Sequence, residues 1–569
     1  MTTQLSDAIS AAVAAELRSR GLPADATGPA VALERPRNPE HGDYASNVAL
    51  QLAPLVGVSP RELAGGLAAR LAAASPVEDV QVAGPGFLNI RLTDAALGGL
   101  AGVIAGAGTG YGTGSSLAGQ RLNLEFVSAN PTGPVTLGSL RWAAVGDALA
   151  RLLRAQGADV TTEYYFNDAG AQIDKFAASL LAAARGEPAP EDGYQGEYIT
   201  EIAAAIAAEH PLAADGPAAL STFRTAGVGL MFAEIKSSLA GVGVQFDVYF
   251  SERTLHERGE LASALARLDE LGHVYRADGA TWVATSAFGD DKDRVIVRGD
   301  GTYSYFGADC AYYLDKRSRG FDKVLIVLGA DHHGYVGRMR AMAACFGDDP
   351  DATLEILIGQ LVSLVRDGQP VRMSKRAGDV ITLADMVSAI GADATRYALA
   401  RYALDSPVDV DLDQWTQRGN DNPVYYVQYA HARICSLLRA AAAAGYTAAT
   451  GHTGGSGHAG DSGHTSGSGY DPALLGHERE RDLLKDLGDF PAVVASAAEL
   501  RQPHRAARYL EHLAGSYHRF YDSCRVLPRG SDDDPSPELT TARLWLAEAA
   551  RIVLANGLRL LGVTAPERM

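Results

Sequence analysis

Apolar and polar positions change rhythm three times along this chain. "PRELAGGLAARLAAA" (Pro60–Ala74) sets leucines and alanines at helical spacing behind a proline suited to a first helical turn. "VEDVQVAGPGFLNIRL" (Val77–Leu92) then reads as two short strands around a glycine turn, and "GTGYGTGSSLAGQ" (Gly108–Gln120) marks a boundary. From Arg121 to about Asp385 short apolar strands alternate with helices: "LNLEFV", a helix, "VTTEYYF", a helix, and later "KVLIVLG" (Lys323–Gly329) with another. That alternation predicts a parallel sheet covered on both faces. Long helical inserts are expected around Gly196–Leu271, with a hairpin after them at "HVYRADGATWVATS". From about Asp393 the strands are expected to stop. "NPVYYVQYAHARICSLLRAAAAAG", "RQPHRAARYLEHLAGSYHRFYDSC" and "TARLWLAEAARIVLANGLRLL" are long helical patterns that predict a bundle.

A length of 569 residues suits three or four domains of roughly 150 residues each. The first twenty residues carry Asp7 and Glu16 and predict an amphipathic helix, not a signal peptide. The most apolar stretch, Ala95–Gly108, is too short and glycine-rich to predict a membrane span. Four cysteines are scattered without metal-ligand spacing, which predicts a reduced cytoplasmic protein with no metal site. A net charge of −18 argues against general affinity for nucleic acid, although not against a local basic surface. Within the bundle region, "GHTGGSGHAGDSGHTSGSG" (Gly451–Gly469) spaces His452, His458 and His464 six residues apart. Glycine and serine dominate it, so it reads as a flexible insert spanning about 448–470.

Two stretches carry candidate chemistry. "PTGPVTLGSLRWAAVGDALARLL" (Pro131–Leu153) follows an apolar strand and reads as a glycine-containing turn opening a helix, whose free N–H groups and positive dipole end attract anions. "QPVRMSKRAGDVITLADMV" (Gln369–Val387) gathers Arg372, Lys375 and Arg376 around Ser374, a group of cations that calls for an anion. "MSKRAG" resembles the second signature of class I aminoacyl-tRNA synthetases, and "PTGPVTLGSLRWAAVGDAL" the first. "FVSANPTGP", "YYFNDAGAQID", "YSYFGADCAYYLDKRSRGFD", "VLGADHHGY" and "NPVYYVQYAHARI" are similar to arginyl-tRNA synthetases. The similarity covers nearly the whole chain, from "HGDYASNVALQLA" to "YHRFYDSCRVLP".

The resemblance implies a multidomain α/β protein. Its parts would be an N-terminal α+β tRNA-binding domain (1–112), a Rossmann-like catalytic domain with helical inserts (113–392) and a C-terminal all-α anticodon-binding bundle (393–569). It implies ATP-dependent activation of L-arginine and transfer to tRNA(Arg), with Mg2+ accompanying ATP, in a monomer.

One departure from the family matters. Its first signature normally begins with histidine, as in His-Ile-Gly-His, whereas the aligned residues here are Thr136, Leu137, Gly138 and Ser139. Losing one preorganised donor to a transition-state charge costs about 2.7–4 kcal/mol, and the two hydroxyls replace part of that. The turn is expected to hold ATP through backbone N–H groups and the Thr136 hydroxyl, with Ser374 and Lys375 completing the catalytic set. Pro131, Gly138, His332, His333, Met373 and Lys375 match ATP-contacting positions.

Selection of arginine needs planar acceptors arranged in a fork, which carboxylates supply. Tyr305 and Asp309 are four apart and share a face if their segment is helical. By resemblance they line the arginine side-chain pocket with Glu252, while Ser128 and Asn130 match positions that hold the α-amino group. Phe87 and Asn89, two apart on one predicted strand, match residues contacting the tRNA elbow. Tyr429 and Arg433 belong to a region interleaving aromatic and basic residues suited to single-stranded bases. A diverged paralogue with another acceptor and a tRNA-binding regulator without adenylation remain open at this point.

Overall fold

The computed structural model describes residues 2–22, 33–36, 38–74, 76–168, 170–211, 214–371, 381–446 and 469–569. The lysine-bearing signature (372–380) and most of the histidine-containing insert lie outside them.

The N-terminal region packs helices α1 (Thr2–Ser19), α2 (Val48–Val56) and α3 (Pro60–Leu71) on a four-stranded antiparallel sheet. Its strands are β1 (Leu33–Glu34), β2 (Tyr44–Ser46), β3 (Val77–Ala83) and β4 (Phe87–Leu92), in the order β1-β2-β4-β3. As the sequence predicts, α3 begins at Pro60, with Ser59 capping it by accepting from the Glu62 N–H at 3.2 Å. Helix α4 (Asp94–Ala107) leads out of this region.

The central region contains β5 (Arg121–Glu125), α5 (Leu137–Ala155), β6 (Asp159–Phe166), α6 (Ala171–Ala184), α7 (Glu197–Glu209), α8 (Ala219–Gly241), β7 (Val248–Ser251), α9 (Glu252–Glu257) and α10 (Glu260–Glu270). There follow β8 (Val274–Ala277), β9 (Ala280–Val283), β10 (Arg294–Val297), α11 (Tyr305–Ser318), β11 (Lys323–Gly329), α12 (Tyr335–Cys345), α13 (Pro350–Thr353) and β12 (Leu354–Gly359). Five strands form an all-parallel sheet in the order β12-β11-β5-β6-β7. Both faces are covered. Leu325 and Val327 of β11 join the large core that contains α5, while Val324 and Ile326 join a second core with Cys310 of α11 and Met342 of α12. The stretch read as helical inserts holds one strand as well: β7, four residues long, is an edge of the main sheet. So short a run cannot be told from a loop by periodicity.

Beyond β12 the chain builds β13 (Val362–Arg366), β14 (Gln369–Pro370), α14 (Leu383–Ile390), α15 (Ala392–Ala400), β15 (Val408–Asp411) and α16 (Leu412–Thr416). Strand formation therefore continues past residue 393. Val408 and Val410 turn inward and Asp409 outward as β15 pairs in parallel with β13. The bundle proper comprises α17 (Pro423–Ala443), α18 (Glu478–Glu499), α19 (His504–Ser523) and α20 (Pro537–Leu560). It also packs on α4. Arg481 of α18 reaches Asp43 at 2.7 Å, and Arg35 reaches Asp486 at 2.6 Å, tying the N-terminal sheet to the bundle.

Candidate active site

The site begins where β5 ends. Val127 (φ 71°) and Ser128 (φ 44°) are consecutive non-glycine residues in left-handed backbone, a conformation costing of order 1–2 kcal/mol per residue. Side chains on β5 and β6 hold them there. Ser128 Oγ donates to Glu125 at 2.9 Å and accepts from the Tyr165 N–H at 3.1 Å, while the Tyr164 hydroxyl donates to the Ala129 carbonyl at 2.7 Å. The chain is thereby thrown across the C-terminal edge of the sheet and enters α5. Ligands of open parallel sheets bind at that edge.

Thr136 is the N-cap of α5, but its bond from the Ser139 N–H is long, at 3.5 Å. Thr136 also pairs with Thr382 in an isolated antiparallel bridge. The Leu137 N–H donates to Ile381 O at 3.0 Å, and the Leu383 N–H to Val135 O at 2.8 Å. Thr382 in turn caps α14 in a capping box with Asp385. The residues that follow the second signature are thus zipped to the first, and two helix N-termini open side by side. Among the described residues, a Cβ placed on Gly138 would meet only Thr136 Oγ1, at 3.9 Å. Pro131 is buried and offers little surface to ATP.

Carboxylates gather past the C-terminal ends of β6 and β7. The Tyr165 hydroxyl donates to Glu252 Oε2 at 2.5 Å, joining the ends of β6 and β7. Burial raises the Glu252 pKa against the pull of that hydrogen bond. Asp309 lies on α11, where the sequence places it one turn after Tyr305. Burial pushes its carboxyl up to about 7, with Glu252 and Glu125 adding repulsion and Arg338 opposing them. A cation beside them would offset both the burial and the mutual repulsion of these acids. Tyr305 is 70% exposed, so it stands at the rim and does not line a closed pocket.

Beneath these acids lies a polar network that sequence reasoning did not single out. Lys316, 1% exposed, donates to Asn123 at 2.6 Å and Glu125 at 2.7 Å. Glu163 receives Arg319 through both oxygens, at 2.6 and 2.9 Å, and the Tyr312 hydroxyl at 2.5 Å. Burial works against its charge, yet Lys316, Arg319 and Tyr312 hold Glu163 down to about 2. The signal was legible in "LNLEFV", where Asn123 and Glu125 break an otherwise apolar strand on alternate positions and so mark one polar, buried face.

Ser128 and Asn130 are engaged within the protein. Asn130 donates to Gln172 at 2.8 Å and accepts from the Asn167 N–H at 3.3 Å, so an α-amino group would have to share these partners. His332 and His333 lie exposed just beyond β11, with His332 3.3 Å from Asp331. Met373, Ser374 and Lys375 lie outside the described residues.

The two proposed tRNA surfaces are distant in sequence. Phe87 is 38% exposed on β4, whereas Asn89 is only 9% exposed. The shared strand face is real, but Asn89 is flanked by β2 and β3 and its amide is largely covered. In α17, Tyr425 and Tyr429 stack with centroids 6.0 Å apart. Arg433 lies over Tyr429 at 5.8 Å and over Tyr521 at 4.2 Å. A groove of about 390 Å³ runs beside them, lined by Tyr429, Arg433, Arg439, Arg568 and Met569. Three guanidinium groups and a stacked ring suit phosphate and base together.

Comparison with known families agrees along most of the chain. Residues 2–92 match the arginyl tRNA synthetase N terminal domain, 232–400 the catalytic domain of class I (R) tRNA synthetases, and 427–569 the DALR anticodon binding domain. A solved Campylobacter jejuni chain, described as an arginyl-tRNA synthetase, is 32% identical with a TM-score of 0.74, covering 84% of this chain and 100% of that one. Thermus thermophilus arginyl-tRNA synthetase shares 23% identity and a TM-score of 0.72 over 99% of this chain and 100% of its own. The Plasmodium falciparum enzyme, at 14% identity and a TM-score of 0.70 over 99% of each chain, shows the same fold. With all three domain types in order and a relative of this identity aligned over its full length, the chain belongs to the arginyl-tRNA synthetase family.

Proposed function

We propose that this arginine–tRNA ligase activates L-arginine at the C-terminal edge of the central sheet, between the Thr136 turn and the Glu252–Asp309 acids. The observation that carries the reading is a pair of neighbouring carboxylates at the sheet's C-terminal edge, Glu252 being held by Tyr165, whose N–H also holds Ser128 at the start of the segment leading into the helix capped by Thr136. The arginine guanidinium binds Asp309 and Glu252, and its arrival draws Asp309 into its charged form. Tyr165 orients Glu252, and Tyr305 closes over the side chain from the rim. Ser128 and Asn130 take the α-amino group by exchanging internal partners.

ATP enters as its Mg2+ complex, with its phosphates at the N-terminus of α5, where Gly138 carries no side chain and Thr136 and Ser139 offer hydroxyls. His332 and His333 contact the nucleotide from the β11 side. The arginine carboxylate oxygen attacks the α-phosphorus, a P–O bond forms, and the bond to diphosphate breaks. Lys375 stabilises the charge that grows on the phosphates, with Ser374 and Met373 in the same segment. A terminal hydroxyl of tRNA(Arg) then attacks the adenylate carbonyl and AMP leaves. The Tyr429–Arg433 groove takes anticodon bases, and Phe87 stacks on the tRNA elbow. Among the described residues no helix is long and apolar enough to cross a membrane, and all four cysteines are free and buried. We assign the enzyme to the cytoplasm as a monomer.

Arginine-dependent pyrophosphate exchange and tRNA(Arg) charging by the purified protein test this reading. Activity in both, lost when lysine replaces arginine as substrate, is the expected result. Charging activity with a different amino acid, or tRNA binding without any exchange, would favour the paralogue or regulator instead.

A further inference from the structure

Lys316 is buried on α11, and no step of the reaction described above uses its charge. Its Nζ donates to Asn123 Oδ1 at 2.6 Å and to Glu125 Oε2 at 2.7 Å, with Glu163 Oε1 farther off at 3.6 Å. Glu163 already receives Arg319 through both oxygens, so the direct ion pair of Lys316 is with Glu125. The ammonium also sits over the Tyr312 ring, 4.5 Å from its centroid. A buried ion pair is poor evidence of added stability, because well-packed apolar side chains join two elements without taking charges out of water. What this pair places is the better guide to its use.

The second oxygen of Glu125 leads to the site. Oε1 accepts from the Ser128 hydroxyl at 2.9 Å. A carboxylate only accepts, so the Ser128 proton is committed inward and its oxygen is left to act as an acceptor. It accepts from the Tyr165 N–H at 3.1 Å, and an incoming ammonium group would meet the same oxygen. The bond from Ser128 also helps hold that residue in its left-handed backbone, at φ 44°. On the other side of the pair, Asp309, Tyr312 and Lys316 follow at i, i+3 and i+7 along α11 and share one face. Asp309 lies two turns from Lys316, about 10.5 Å along the axis at 1.5 Å per residue. The ammonium thus ties the helix that carries one end of the arginine site to the strand that carries the other.

We propose that Lys316 is a positioning residue for arginine binding: by pairing with Glu125 it fixes the end of β5 against α11, and so sets the Ser128 hydroxyl, as an acceptor for the substrate's α-amino group, at a constant span from Asp309. The inference rests on the reading that arginine lies with its guanidinium at Asp309 and its amino group at Ser128. Methionine at 316 has a similar reach but no donor, which leaves Glu125 without its cation. Arginine there keeps the charge, but its planar head cannot occupy the point that a compact ammonium fills between Asn123 and Glu125.

The test measures tRNA(Arg) charging by full-length wild type, Lys316→Met and Lys316→Arg, with des-amino-arginine (the same guanidino acid without its amino group) as competitor. Thermal unfolding reports the folded fraction, and the shift each compound causes gives its affinity where charging is lost. In wild type the competitor Ki should exceed the arginine KM, since the competitor cannot use Ser128. Both variants should raise arginine KM about tenfold or more, the size of one charge-assisted hydrogen bond, while the Ki stays within about twofold. General damage to the site would weaken both compounds together. If the Met variant does not fold, the Arg variant decides. A wild type that discriminates, with the same ratio of Ki to KM in a folded variant, sinks the proposal alone. A wild type that holds both compounds equally sinks the amino-group reading of Ser128 with it.

Discussion

Tyr165 and Glu252 meet across the ends of β6 and β7 through a hydroxyl-to-carboxylate bond of 2.5 Å. Burial and the adjacent acid raise the tyrosine pKa, so Tyr165 acts as a donor throughout the working pH range. Tyr165→Phe leaves a buried carboxylate oxygen short of one partner, at a cost of about 1–3 kcal/mol. Arginine KM should rise about tenfold, the equivalent of 1.4 kcal/mol, with ATP KM unchanged. Steady-state exchange kinetics check this, and equal shifts in both constants would remove Tyr165 from the arginine pocket.

Asp309→Asn removes one charge-assisted partner of the guanidinium. We expect arginine kcat/KM to fall about a hundredfold while ATP KM stays within about twofold. A matching rise in ATP KM would place Asp309 outside the arginine site.

The raised pKa of Asp309, about 7, makes arginine binding pH-dependent. The charged form binds the cation, so arginine KM should climb as pH falls below 7 and level off above it, with proton uptake by buffer detectable when arginine binds near pH 7. For stability the sign is opposite. Between the ordinary carboxyl value near 3.8 and about 7, the folded empty enzyme holds a proton that the unfolded chain has released. Asp309 therefore lowers stability as pH rises through that window, and Asp309→Asn should flatten the change in melting temperature. An arginine KM indifferent to pH from 5.5 to 8 would contradict the assignment.

Thr136 tests the altered first signature. Thr136→Ala forfeits a long cap bond and one hydroxyl, lowering stability by about 0.5–1 kcal/mol and reducing kcat modestly. Lys375→Ala should cost more in kcat than Thr136→Ala, since it removes a full charge from the phosphates. Thr136→His should raise kcat with arginine KM unchanged, the pattern of a contact made only in the transition state. Failure of Thr136→His to exceed wild type would show that the hydroxyl already serves as well as an imidazole.

Shortening residues 451–469 should leave charging nearly unchanged, because closure entropy grows slowly with loop length. A large loss, or a requirement for added zinc, would turn the histidine spacing from incidental to functional.

Local repetition was enough to locate most of this architecture. The 3.6-residue period of α3 and the long bundle helices, and the apolar runs of β5, β6 and β11, arise from burial on one face or two, and burial leaves its trace in the sequence. Asp309 and Tyr305 could be placed on one helix by counting, and Asn123 with Glu125 marked a buried polar face. Other features depend on surfaces that exist only after folding. Strands β7 and β15 are four residues each and become strands because β6 and β13 offer them edges. Asn89 looks like a surface amide until β2 and β3 cover it, and Tyr305 looks like a pocket wall until its position at the start of α11 leaves it in solvent. The Thr136–Thr382 bridge joins residues 246 positions apart, and the Arg141 side chain of α5 donates to the carbonyls of Gln360 and Ala403, groups that every residue possesses. Side-chain pattern records which face is buried; it holds no record of which distant backbone will arrive to meet it, and that was decided by the packing of α5 against the sheets.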